Sequence, residues 1–153
     1  MKKIAIIRLA GGLGNQLFQY SMGKLLEKKY NKKLYFDLSE LKRYFGIFPH
    51  YKILLFRLSN HQYTSRKLEL NNFNLTIKEG KKNDISKFLP VHIKLIKYLE
   101  KFFNKNSKYE RYYLSNNLKK YYYYREKNLF QFDKNVTKIS GNVYLDGYWQ
   151  NPK

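Results

Sequence analysis

A stretch of glycines and amides, GGLGNQLFQY at residues 11–20, constrains this chain more than any other. It follows the apolar, β-branched run at 4–9 and opens a helical pattern, so the local order reads strand, glycine loop, helix. Gly11, Gly12 and Gly14 permit a tight turn and let a bound group approach the backbone, because no Cβ intervenes. Such a loop also presents a helix N-terminus, whose free N–H groups and partial positive charge suit phosphates or sugar hydroxyls. Asn15 and Gln16 add side-chain amides at the same mouth.

The spacing departs from known phosphate cradles. Leu17 stands where the dinucleotide fingerprint needs its third glycine, and the Gly-Lys-Ser/Thr ending of a P-loop is missing. On spacing, a generic turn between strand and helix is as good a reading as a ligand cradle. Beyond the loop, Asn15 reads as a helix cap, and Phe18, Met22, Leu25 and Leu26 form one apolar stripe that Tyr30 extends. Gly23 lets that helix approach a sheet closely, and Asn31 ends it. Residues 34–38 then read as a second strand, which a helical crossover makes parallel to the first. The predicted class is α/β, a Rossmann-like parallel sheet with flanking helices, whose ligands bind at the carboxyl ends of the strands, beside the loop and Asp37.

Later stretches are less regular. Residues 47–58 read as loop and short strand around Pro49 and His50. At 88–103 a helical period returns, with Phe88, Val91, Leu95, Leu99 and Phe102 on one face and Lys94, Lys97 and Lys101 opposite. That pattern fits a helix on the sheet or a basic amphipathic helix on an anionic membrane. YYYYREK at 121–127 fits a tyrosine-rich strand or helix end and is assigned no function.

GGLGNQLFQY resembles the opening signature of the bacterial alpha-1,2-fucosyltransferases, which move fucose from GDP-fucose onto a galactose-containing acceptor. SRKLELNNFNLTI at 65–77 resembles the family's next stretch, and YLDGYWQNPK at 144–153 resembles a third, in which a strand ends in Asp-Gly-Tyr-Trp-Gln. The resemblance implies two Rossmann-like domains of GT-B type, metal-independent transfer with inversion, and work in surface polysaccharide or lipopolysaccharide assembly. One departure is large: the family's His-x-Arg-Arg-x-Asp motif has no counterpart, because His50, His61 and His92 are followed by no arginine pair. Residues 1–153 thus read as one N-terminal, acceptor-side domain, with the donor-binding half absent from this chain. The alternative reading is a non-catalytic carbohydrate-binding or accessory remnant.

Within that frame Gly12, Gly14, Asn15 and Gln16 are the expected substrate-binding residues at the loop, with Asn15 also orienting the reaction. Asp146 is a candidate general base at a strand end, or equally the acid of an Asp146-Gly147 turn that bonds its own backbone. Tyr148 and Trp149 can stack on a pyranose ring or fill the core. No Asp-x-Asp pair offers hard oxygen ligands, so no metal or other cofactor is expected beside the donor GDP-fucose.

Charge sets the remaining expectations. The net charge of +20 comes mostly from lysine, with only six arginines. Arginine is the usual reader of guanine edges and the bidentate phosphate partner, so nucleic acid is not an expected partner. Cysteine is absent, no apolar run reaches membrane-span length, and Arg8 interrupts the first apolar stretch before a signal-peptide core could form. A cytoplasmic location is expected, with peripheral contact at the inner face of the membrane, which suits an oligosaccharide or lipid-linked glycan acceptor.

Overall fold

The buried, β-branched N-terminal run forms strand β1 (Ile4–Arg8), and the glycine loop after it leads into helix α1 (Leu13–Tyr30). These come from a computed structural model of the chain, which describes residues 2–42, 66–88, 121–126 and 132–150. The readings for 47–58, for 88–103 past Phe88 and for residue 127 lie outside the described residues. Helix α1 stops at Asn31, which takes the left-handed conformation (φ 49°) common at helix C-termini and donates its N–H to Glu27 O. Lys28 and Lys29 in the last turn suit the negative end of the helix dipole. Strand β2 (Lys33–Asp37) follows and pairs parallel to β1, from Ile4 opposite Lys33 to Arg8 opposite Asp37.

A short helix α2 (Ser39–Lys42), a 3-10 turn (Glu69–Asn72) and helix α3 (Lys82–Phe88) come next. Strand β3 (Tyr121–Arg125) is the tyrosine run, and strand β4 (Asn142–Asp146) ends the described sheet. The order is β2-β1-β4-β3 and all three pairings are parallel. A four-stranded parallel sheet with flanking helices is the α/β, Rossmann-like arrangement that the strand-loop-helix-strand pattern predicts.

Successive residues of a strand face opposite sides of a sheet. On one side Ala5, Ile7, Leu34, Phe36, Val143 and Leu145 pack with Met22 and Leu26 of α1. On the other, Ile6, Tyr123 and Tyr144 pack with Phe88 of α3. The tyrosine run thus serves both sides, because Tyr123 and Tyr124 are both buried yet point oppositely.

The buried face of α1 differs from the predicted stripe. Phe18 and Leu25 are 39% and 43% exposed, whereas Gln16 and Gln19 are fully buried beside Met22, Gly23 and Leu26. Helix rotation follows the bonds of these two amides, described below, rather than the greatest apolar area. Asn15 does not cap the helix either. Gly12 is the N-cap residue and the first turn begins at Leu13.

Gly23 is where α1 meets the sheet. An added Cβ there would lie 2.8 Å from Leu34 Cδ1 and 3.0 Å from Ile7 Cγ1. Gly23→Ala is therefore expected to destabilise the protein by about 1–3 kcal/mol through overpacking, despite alanine's better helix propensity. Urea unfolding of the two proteins checks the sign.

At the opposite, amino edge of the sheet, Lys32 is buried and donates from Nζ to Ile139 O and Gly141 O, each at 2.7 Å. Burial, with a smaller contribution from the Lys3 charge, lowers its pKa to about 8. Between pH 8 and the unfolded value of 10.5 the unfolded chain holds a proton that the folded chain has released, so this group makes stability rise with pH. Unfolding curves at pH 7.5 and 9.5 should show a smaller rise in Lys32→Met than in the parent protein.

Candidate functional site

The carboxyl ends of β1 and β4 lie side by side at the centre of the sheet, and the chain leaves each through a glycine-bearing loop. Ligands of open α/β sheets bind at such a crevice. Three separate stretches of sequence meet there: the glycine loop, residues 66–69 and the turn at 147–150.

Amides of α1 hold them together. Gln16 Nε2 donates to Gly11 O (2.9 Å) and to Lys67 O (2.8 Å), while its Oε1 accepts from Glu69 N (3.0 Å). Gln19 Oε1 accepts from Ala10 N (3.0 Å), and its Nε2 donates to Gly147 O (3.0 Å). Asn15 Oδ1 accepts from Gln150 Nε2 at 2.7 Å. Gly11 makes the loop's sharp entry with φ 76°, where a side chain would also collide with Asn15 Nδ2.

Beneath the loops the strand ends alternate in charge across the sheet: Asp37, Arg8, Asp146, Arg125. Arg8 Nε lies 2.5 Å from Asp146 Oδ1, and its Nη1 lies 3.5 Å from Glu40. Burial pulls the Arg8 guanidinium down, but Asp146, with Tyr144, Glu40 and Tyr123 beyond it, more than offsets this, so the group is held above its ordinary value as a permanent cation. Tyr123 donates its hydroxyl to the second oxygen of Asp146. Tyr144 donates to Asp37 Oδ2 at 2.6 Å, and Asp37 Oδ1 accepts from Ser39 N. Burial, then the neighbouring carboxylates, pushes both tyrosine hydroxyls up, so both remain protonated donors.

The turn after β4 rests on Glu126, which directly follows β3. Its carboxylate accepts from Tyr148 N (2.7 Å) and Trp149 N (3.0 Å). An added Cβ at Gly147 would stand 2.5 Å from Glu126 Cβ, so glycine is required for this close approach. Burial raises the Glu126 carboxyl above its ordinary range, and the two backbone N–H groups partly offset that rise. Trp149 adopts φ 58°, unusual for so bulky a residue, and packs beside Tyr124 with ring centroids 6.1 Å apart. Its indole N–H has no hydrogen-bond partner among the described residues.

The sequence-predicted residues fare differently. Gly12, Gly14, Asn15, Gln16, Asp146, Tyr148 and Trp149 are brought to one edge of the fold. Gln16, however, is wholly buried with both amide hydrogens committed to backbone carbonyls, so it frames the loop and does not face a sugar. Trp149 is 2% exposed and fills the core, the second of its two predicted uses. Asp146 is 3% exposed with both oxygens engaged, by Arg8 and Tyr123 rather than by its own backbone turn. What stays within reach of a ligand is Gly14, with nothing within 4 Å of its added Cβ, the half-buried Asn15 and Tyr148, and the exposed Arg66. The Arg66 guanidinium comes within 3.7 Å of an added Cβ at Gly12, beside the N-terminus of α1.

Sequence reasoning missed Arg8, Gln19 and Glu126. Arg8 carried a signal, being a charge at the end of an otherwise apolar buried strand. Gln19, three residues after Gln16, carried another, since residues at that spacing share a helix face. Glu126 carried none. Among the described residues no group of three or more His, Asp or Glu could hold a metal ion, and no helix is long and apolar enough to cross a membrane. Compared with known protein families, curated proteins and solved structures, the chain matches none.

Replacing Glu126 by alanine leaves two backbone N–H groups without acceptors, each costing about 1–3 kcal/mol where it stays buried. Because Trp149 is the sole tryptophan, its emission reports on this turn directly. Glu126→Ala is expected to shift that emission to the red and to lower the midpoint of unfolding.

Proposed function

We propose that this chain is the acceptor-side portion of a GT-B-type alpha-1,2-fucosyltransferase that serves surface polysaccharide or lipopolysaccharide assembly. The observation that carries this reading is convergence. Three stretches that resemble the family's signatures, far apart in sequence, meet at the carboxyl ends of β1 and β4, tied by Asn15, Gln16 and Gln19. In such transfer an acceptor hydroxyl attacks the fucose anomeric carbon, the bond from that carbon to the diphosphate oxygen breaks, GDP departs, and the hydroxyl proton passes to a base.

This half supplies recognition. Tyr148 offers a ring face to a pyranose, Asn15 offers an amide, and the open backbone at Gly14 with Arg66 offers positive potential towards the diphosphate. The groups that bear the leaving diphosphate belong to the half that carries the His-x-Arg-Arg-x-Asp motif. The reaction as proposed uses GDP-fucose as donor and a galactose-bearing, lipid-linked or free oligosaccharide as acceptor, without a metal. It takes place at the cytoplasmic face of the membrane, which the lysine-rich surface would meet peripherally.

A second reading is a carbohydrate-binding module without transfer activity. It is favoured by Asp146, whose carboxylate is engaged by Arg8 and Tyr123 and so lacks the freedom of a general base. Calorimetry with lactose as a galactose-bearing probe, and separately with GDP-fucose, distinguishes the two. Lactose binding is expected, and Tyr148→Ala should weaken it by roughly threefold to tenfold, the loss of an aromatic contact of about 0.5–1.5 kcal/mol. Binding of both ligands selects the transferase portion, binding of lactose alone selects the module, and no binding of lactose or GDP-fucose removes both readings.

A further inference from the structure

Gln19 is fully buried, and a glutamine amide in that position is costly unless each polar atom finds a partner. Its two partners are not side chains. They are Ala10 N and Gly147 O, the first backbone groups past β1 and β4 that have left the strand ladder. Leu9 N still bonds Asp37 O on the β2 side, and Glu126 N still bonds Asp146 O on the β3 side, so both outer pairings continue one step beyond the strands. Between β1 and β4 the backbones separate. A primary amide is planar, with an acceptor and a donor disposed as in a peptide group, and here it fills the gap between them.

We propose that Gln19 is a positioning residue that sets the spacing of the two loops, its amide standing in for a peptide between the diverging ends of β1 and β4. Ala10 carries the glycine loop, and Gly147 carries the turn that bears Tyr148. A change at Gln19 therefore moves the two lips relative to each other. The bearing of this on sugar binding rests on the proposed function, while the mechanical role does not.

Gln19→Glu tests it with the smallest change of shape. An ionised carboxylate still accepts from Ala10 N but cannot donate, and it sets a negative oxygen against Gly147 O. Once protonated, the same side chain can both donate and accept. Burial raises the pKa of the introduced acid, so the protonated form is reached in mild acid. Emission from Trp149, two residues past Gly147, is expected to shift to the red in Gln19→Glu at pH 7.5 and to return towards the wild-type position by pH 5. Gln19→Leu, which can never bond, should stay shifted at both. The wild-type protein over the same range accounts for titration of Glu126, Asp133 and Asp146 near the turn. Lactose affinity in Gln19→Glu should fall about tenfold at pH 7.5, the scale of a lost buried hydrogen bond, and recover with the emission.

Wild-type emission in both variants at both pH values would overturn the proposal. If neither variant folds, nuclear magnetic resonance of the unmutated protein decides: slow exchange at Ala10 N–H and a through-hydrogen-bond coupling between Gln19 Nε2 and the Gly147 carbonyl carbon support it, and their absence overturns it. Should the wild-type protein bind no lactose, the functional reading falls while the emission result still judges Gln19.

Discussion

The pairing of Arg8 with Asp146 joins the ends of two neighbouring strands that come from opposite ends of the chain. Breaking a fully buried ion pair by removing one partner costs about 3–5 kcal/mol; here Arg8 is a quarter exposed and each partner keeps a second contact, so the cost is smaller. Arg8 also reaches towards Glu40, and Asp146 takes the Tyr123 hydroxyl, so four elements meet at this one contact: β1, α2, β3 and β4. Its geometry follows from register. Opposite residues of adjacent parallel strands share a side of the sheet, and here the terminal residues of all four strands carry charge in alternating sign. A one-residue slip of any strand would set like charges together or place a charge in the apolar layer, so the alternation specifies register as well as binding the edge.

Above this charged row lies a second, neutral layer built from the amides of α1. Gln16 and Gln19 occupy helix positions that apolar side chains could fill, and Phe18 and Leu25 are left at the surface as a result. The compensation is that both glutamines satisfy backbone groups that no strand can reach, at Gly11, Lys67, Glu69, Ala10 and Gly147. Buried backbone donors and acceptors must be paired, and loops that turn away from a sheet lose their ladder partners. Helix α1 is thus oriented by hydrogen-bond demand at its N-terminal half and by apolar packing at Met22, Gly23 and Leu26. The division falls within one helix because its first half borders the loops at the strand ends and its second half borders the sheet.

That division explains what could be read from the sequence. The run at 4–8, the glycine loop, the helix end at Asn31 and the parallel second strand follow from local rules, and each stands within a residue of the predicted place. Helix rotation did not follow, because hydrophobic period counts area and gives no weight to carbonyls and N–H groups that other segments will bring. The internal bonds of Gln16 and Asp146 are hidden in the sequence for the same reason: an amide or carboxylate near a loop looks free until Lys67, Glu69, Tyr123 and Arg8 arrive from elsewhere in the chain. Trp149 was ambiguous by nature, since large aromatics serve cores and sugar sites alike, and only its burial beside Tyr124 separates the two.

Engagement of the strongest polar groups within the fold shapes what this edge can do. Arg8, Asp37, Asp146, Gln16 and Gln19 hold one another or the backbone, leaving neither a free acid nor a free base among them. The accessible groups, Asn15, Tyr148, Arg66 and the backbone at Gly14, are suited to hold neutral rings and to offer positive potential, with the half-buried carboxylates of Glu69 and Glu126 beside them. The strand-end charges thus act as a floor that is committed to the fold, and contact with a ligand falls to the loops that stand on it.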